Sequence, residues 1–227
     1  MGLADPQHPP SGAPDFSAAE PDSPRARFRR HLRATGSDVP RLREHLLRAV
    51  PQIDTDREAR LAVEEIVSHL GALLGFSPSR DETEDADIWT SPTGVTLVVR
   101  VMGGLGVPAR LQALTQARDR RLAGSGEPAR KLSALGVVCG SRIDWRQIED
   151  AVAVRRALDS VRLVSVDALL ALSVLREDHV LAHPDAVVLL RPQDARADAL
   201  IELMAARGQG REEEPVDRAG DGAWWIK

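Results

Sequence analysis

Eight arginines crowd the stretch from Pro24 to Arg48: Arg25, Arg27, Arg29, Arg30, Arg33, Arg41, Arg43 and Arg48. Only Asp38 and Glu44 oppose them, a local balance of +6 in a chain whose formal net charge is −4. Guanidinium forks match phosphate oxygens, so the window can serve as a phosphate-contacting patch. The competing role is a helical hairpin whose arginines snorkel over apolar surface or pair with acidic groups elsewhere in the chain. Other chemistry-bearing residues are sparse. Cys139 closes the apolar run Leu135-Gly136-Val137-Val138-Cys139 and reads as a small core residue rather than a nucleophile. His45 and His69 fall on helices, His179 and His183 flank a loop, and none has metal-ligand spacing. Gly103-Gly104-Leu105-Gly106 could approach a phosphate, but no Lys-Ser/Thr pair follows it, so a plain strand-to-helix turn is expected. Trp224-Trp225-Ile226 lies on a Gly/Glu/Asp-rich stretch. Such apolar side chains gain nothing there unless they dock, which marks a partner-binding peptide.

The elements that must carry these residues are bounded by composition. At 227 residues, with 43% hydrophobic and 28% charged positions, the chain is globular in type. It can bury about 70% of its unfolded surface without staples. A pI of 5.9 excludes retention on nucleic acid or anionic lipid by bulk charge alone. The single cysteine excludes an internal disulfide and a multi-thiolate zinc site. No run of about 18 apolar residues could span a bilayer. The first residues lack the basic and apolar regions of a secretion signal, so a soluble cytoplasmic protein with no membrane partner is expected. Aromatics at 3% and the lack of tyrosine disfavour a base-stacking platform.

Pro6, Pro9, Pro10, Pro14, Pro21 and Pro24 make residues 1–24 a disordered tail. Residues 25–52 form an Arg-rich helical extension, with Leu42, Leu46 and Leu47 at helical spacing. Thr55-x-x-Glu58 reads as a capping box, followed by Ala59, Val63, Ile66, Leu70 and Leu73 and a left-handed stop at Gly75. Three strands are predicted over 76–80, 86–90 and 95–102, the last two joined by Ser91-Pro92-Thr93-Gly94. The near-continuous apolar run Thr96 to Val101 suits a central strand covered on both faces. A helix opened by Pro108, a strand around 135–139, a helix from Asp144 to Leu158, a strand over 161–165 and a helix capped by Asp167 follow. His183 to Leu190 fits either helix or strand, and Asp194 to Arg207 is a last amphipathic helix. The core spans 53–178, a helical extension 179–207, and a flexible tail 208–227.

Strands alternating with helices after an opening hairpin indicate an α/β sandwich with a mixed central sheet flanked by helices. Over about residues 55–175 this order resembles the restriction-endonuclease-like (PD-(D/E)xK) nuclease superfamily. That resemblance implies an Asp at the start of the second strand and an acidic-x-Lys triplet on the third, with the carboxylates holding magnesium. Asp87 matches the first Asp, and the triplet falls on Val98-Val99-Arg100. Val98 supplies no oxygen to a hard cation, and Arg100 is a poor proton-transfer group that can still grip a phosphate. The motif is degenerate. The resemblance also implies a helix glutamate near the metal, so Glu64 or Glu65 with Asp87 would be a relocated metal set; the competing and preferred reading is a polar helix face beside a solvated acidic turn. Gln116 falls where family members orient substrate.

The expectation is therefore a non-catalytic nuclease-fold module, without a cofactor, that binds DNA or a protein partner within a larger bacterial DNA-processing or defence assembly. Its DNA contacts would come from Arg25, Arg27, Arg29, Arg30, Arg33 and Arg100, and its partner contacts from Trp224, Trp225 and Ile226. A magnesium-dependent endonuclease with relocated ligands and a purely structural adaptor are the alternatives, and a homo-oligomer is compatible with each. The tail yields the first test. Deleting residues 223–227 is expected to abolish association with a partner or second copy, read by size-exclusion chromatography, at unchanged melting temperature. A melting temperature that falls with association intact would put the indoles in the domain's own core.

Overall fold

The apolar spacing of Val63, Ile66 and Leu70 predicts a long helix, and in the computed structural model these three side chains are fully buried on α3, Arg57–Leu73. The structure describes residues 24–35, 38–103, 107–126, 128–140, 160–192 and 197–209. Before α3 come α1, Pro24–Thr35, and α2, Val39–Ala49. After it come β1, Ser77–Asp81; β2, Ala86–Thr90; β3, Thr96–Met102; α4, Val107–Ser125; β4, Leu132–Val138; β5, Val161–Ser165; α5, Val166–Glu177; α6, His183–Leu190; and α7, Ala197–Gln209. Of the tails expected over 1–24 and 208–227, Pro24 and residues 208–209 are helical instead, and the rest lies outside the described residues, as do the turn 104–106, the helix from Asp144 to Leu158, and Trp224, Trp225 and Ile226.

The five strands form one open mixed sheet in the order β1-β2-β3-β4-β5. The first three make an antiparallel meander, and β3, β4 and β5 run parallel, with α4 crossing from β3 to β4. This is an α/β fold. Successive side chains along a strand leave opposite faces, and β3 divides accordingly. Leu97, Val99 and Val101 join α3, α5 and α6 in one core, while Val98 and Met102 join Leu111 and Leu114 of α4 in the other. Both faces being covered, β4 is buried along its whole length.

Local chemistry departs from expectation at the helix starts. Asp56, not Thr55, caps α3: its carboxylate accepts from the Glu58 amide at 2.8 Å, and the Thr55 hydroxyl donates to the Gln52 carbonyl instead. Ser165, in extended conformation at the end of β5, caps α5 in place of Asp167 by accepting from the Ala168 amide. Gly75 does stop α3 at a φ of +92°. His183–Leu190 is a helix because His183 is held at its start. Nδ1 is 2.7 Å from the Leu74 carbonyl and Nε2 is 2.7 Å from Ser91 Oγ. A carbonyl only accepts, so Nδ1 carries the proton and Nε2 accepts from the Ser91 hydroxyl. One imidazole thereby ties α6 to the end of α3 and to the β2–β3 turn. The final helix is described over Ala197–Gln209 and so continues past Gly208, while the expected start at Asp194 lies outside the described residues.

The Arg-rich segment is two helices packed on α3. Leu32 of α1 and Leu42 and Leu46 of α2 enter the same core as Ile66 and Leu70. Each such side chain contributes about 1.5–3 kcal/mol by burial, enough to fix the arginines of α1 against α3. Trp89 of β2 lies over Gly71 so closely that a Cβ there would sit 2.6 Å from the indole. Gly71→Ala would gain about 1 kcal/mol of helix propensity and lose about 1–3 kcal/mol to overpacking. The clash therefore wins, and the melting temperature is expected to fall by a few degrees in thermal unfolding monitored by circular dichroism; a rise would show that the indole moves aside freely.

Candidate functional site

The β1–β2 register sets Arg80 directly opposite Asp87, so both side chains leave the sheet on the α3 side. Arg80 Nη1 donates to Asp87 Oδ1 at 3.1 Å. Arg80 Nη2 pairs with Asp85 and lies 3.4 Å from Glu64 Oε2. The next residue of α3, Glu65, receives the fork of Arg29, with Nε at 2.7 Å and Nη2 at 2.8 Å, and is also paired with Arg25. Arg25 Nη2 stands 3.6 Å from Glu64 Oε2 and links the two glutamates. The three carboxylates are almost fully buried: Glu64 is 8% exposed, Glu65 2% and Asp87 5%. The cations reach them from α1 and β1.

Burial pushes the Asp87 and Glu64 carboxyls above the ordinary carboxylate range, with Arg80 opposing the rise in both. Burial also presses on Glu65, but the hydrogen bonds from Arg29 and Arg25 outweigh it and hold that carboxyl low. Arg29 is raised in turn, chiefly by its bond to Glu65. The difference is one of stoichiometry. Glu65 has two guanidiniums close to itself, whereas Arg80 is shared among Glu64, Asp85 and Asp87.

The expected site residues are only partly brought together. Glu64, Glu65 and Asp87 converge. Val98 does not join them: Asp87 pairs with Val99, so Val98 points to the opposite face and is buried under α4. Arg100 is pinned at the β1–β2 turn, where Nε donates to the Asp85 carbonyl at 3.2 Å and Nη2 to the Glu84 carbonyl and Asp85 Oδ2, each at 3.1 Å. Gln116 is exposed on α4. The arginines of α1 divide: Arg25 and Arg29 turn inward onto Glu65, while Arg27, Arg30 and Arg33 are exposed. Magnesium does not fit these residues. Asp87 and Glu65 are engaged by guanidiniums, Val98 offers no oxygen, and a cation already stands beside Glu64. Among the described residues, no group of three or more His, Cys, Asp or Glu is arranged for a metal.

Arg80 is the residue that motif reasoning passed over. Its one signal is a charged position in a strand of five residues, and its partner becomes readable only once the hairpin register is known. Arg60 of α3 and Arg110 of α4, which line a groove with Arg100, were equally silent. Fold and site together define an α/β protein with an open mixed five-stranded sheet and a buried arginine–carboxylate cluster between α1, α3 and the first hairpin. No protein-family model matches the chain, and no curated protein or solved structure matches it either. Among the described residues no helix is long and apolar enough to cross a membrane.

Removing one partner of a buried ion pair costs about 3–5 kcal/mol. Glu65→Gln orphans Arg25 and Arg29 and is expected to cost that much in urea unfolding, whereas Asp87→Asn should cost less, because the native Asp87 carboxylate is itself disfavoured by burial. Glu65, held low, stabilises the fold above its ordinary value of 4.5, and this is lost as pH falls through its depressed folded value. Glu64 and Asp87, held high, act with the opposite sign: their contribution is present below their ordinary values and lost as pH rises through the folded ones. The acid limb of the stability curve should therefore flatten in Glu65→Gln. An equal or reversed order of the two variants at neutral pH contradicts this assignment.

Proposed function

We propose that this chain is a non-catalytic module of restriction-endonuclease-like fold that binds DNA within a larger DNA-processing or defence assembly. The element order supports the fold: a helix, an antiparallel three-strand meander, a crossover helix and a parallel strand. The observation that carries the non-catalytic part is the state of the carboxylates. Glu65 and Asp87 are bound by arginines of the same chain, and the third strand presents Val98 to the core.

Binding would rest on the cations that the cluster does not consume. Arg27 and Arg33 project from the outer side of α1, and Arg100 stands at the β1–β2 turn. Such contacts position a duplex through its phosphates without reading its sequence. A protein contact within the same assembly is favoured by a separate observation, the exposed apolar side chains of the C-terminal helices: Val188 of α6 is 56% exposed and Leu203 of α7 49%.

Two measurements test the proposal. Supercoiled plasmid should survive incubation with the wild-type chain in magnesium or manganese; metal-dependent nicking abolished by Asp87→Ala would establish the endonuclease instead. A duplex should be retained in gel shifts with a log–log salt slope, and replacing Arg27 and Arg33 by alanine should flatten that slope by up to about 2, at about 0.9 per phosphate. A chain that retains no duplex even at low salt is an adaptor and not a DNA-binding module.

A further inference from the structure

At the carboxyl end of β3, between α3 and α4, a groove of about 220 Å³ is lined by Arg60, Arg100 and Arg110 together with Glu64 and Asp85. Crevices of α/β sheets open at this end of the parallel strands. The volume is well beyond what one water needs. Arg100 is paired with Asp85 at 3.1 Å and Arg110 with Asp54 at 2.8 Å, so the shortfall falls on Arg60, which must share Glu64. Glu64 and Asp85 already answer to Arg80, and Glu64 also to Arg25. Among the described residues Arg60 comes no nearer to a carboxylate than 3.9 Å, at Glu64 Oε1, which is outside hydrogen-bond range.

Arg110 is the most telling of the three. Its Nη2 donates to Asp54 Oδ1 at 2.8 Å, but its Nη1 is buried with no hydrogen-bond partner. A buried donor left unmade is costly, more so on a charged group. Burial and the neighbouring charge of Arg60 also press this guanidinium below its ordinary range, even though Asp54 opposes them. A buried donor left unmade, a neighbouring like charge and an open cleft suit an anion. Guanidinium forks match a tetrahedral oxyanion.

We propose that the Arg60–Arg100–Arg110 groove binds a phosphate group, the source being the backbone of the duplex; that source rests on the DNA-binding reading above, whereas the phosphate chemistry does not. The groove lies apart from the outward arginines of α1, so it would fix a second point of the backbone and orient the module.

The test titrates the full chain with a short duplex by fluorescence anisotropy. In parallel, thermal unfolding is followed in inorganic phosphate against sodium chloride at equal ionic strength. Arg60→Gln is the primary variant, since among the described residues the Arg60 guanidinium has only the 3.9 Å approach to Glu64; Arg110→Gln is the second, checked by circular dichroism. Arg60→Gln is expected to weaken duplex binding roughly tenfold and lower the salt slope by about 0.9, with Arg60→Lys restoring most of the slope. It should also remove the stabilisation of the wild type by phosphate. Duplex binding and phosphate stabilisation that are both unchanged in the two variants overturn the groove while leaving DNA binding intact. Phosphate stabilisation lost in Arg60→Gln, in a chain that retains no duplex, upholds the groove with a free phosphate compound as its ligand and removes the DNA source. A wild-type chain indifferent to both probes overturns the proposal.

Discussion

Three carboxylates lie between a helix and a sheet, and each must have a cation with it there. Bringing an unpaired carboxylate out of water costs several kcal/mol even after relaxation, which is a large share of the 5–15 kcal/mol that keeps a domain folded. Glu64, Glu65 and Asp87 meet this constraint through Arg80 on β1 and through Arg25 and Arg29 on α1. The rest of the arrangement depends on it. Helix α1 becomes an integral layer, because it brings the two guanidiniums of Glu65 as well as the apolar anchor Leu32. The first hairpin is held in the register that sets Arg80 opposite Asp87, since a slip of one residue would turn the guanidinium to the other face.

The same constraint decides what the cluster can do. Carboxylates at the junction of α3 and β2 could hold a hard cation if their oxygens were open to it. Here guanidiniums stand among them, with their charge spread over planar forks and no capacity to polarise a water molecule as a metal would. The third strand adds nothing to reverse this. Its alternation sends Val98 into the core under α4, and Arg100 is used in binding the carbonyls of Glu84 and Asp85. The cluster is an ion-pair knot that joins an N-terminal helix to a sheet.

Charge is thus distributed unevenly over a chain that is weakly acidic as a whole. Inside, cations and carboxylates nearly cancel. At the carboxyl end of β3 three guanidiniums line one groove, and Arg27 and Arg33 are exposed on α1. Apolar exposure concentrates elsewhere, on the helices after β5. This separation of a cationic end from a partly apolar helical side is the physical basis of the assembly role proposed above.

Much of the architecture was legible from residue order alone. Apolar periodicity located α3, the run Thr96 to Val101 announced a strand covered on both faces, and Gly75 marked a helix stop, because these signals are local and need only neighbouring residues. Cap identity was less legible: Thr55 and Asp56, or Ser165 and Asp167, can all cap a helix, and backbone conformation decides between them. The candidate site was least legible. Glu64, Glu65, Asp87 and the arginines were visible as residues, but whether a guanidinium of α1 reaches phosphate or Glu65 depends on how two helices 40 residues apart in the chain are packed. Arg80 meets Asp87 only through strand register, and Arg110 acquires its unpartnered nitrogen only through burial. Sequence alone determined which groups carry charge and which segments are helix or strand; tertiary structure decided which charges cancel, because pairing depends on distances across elements that no local pattern encodes.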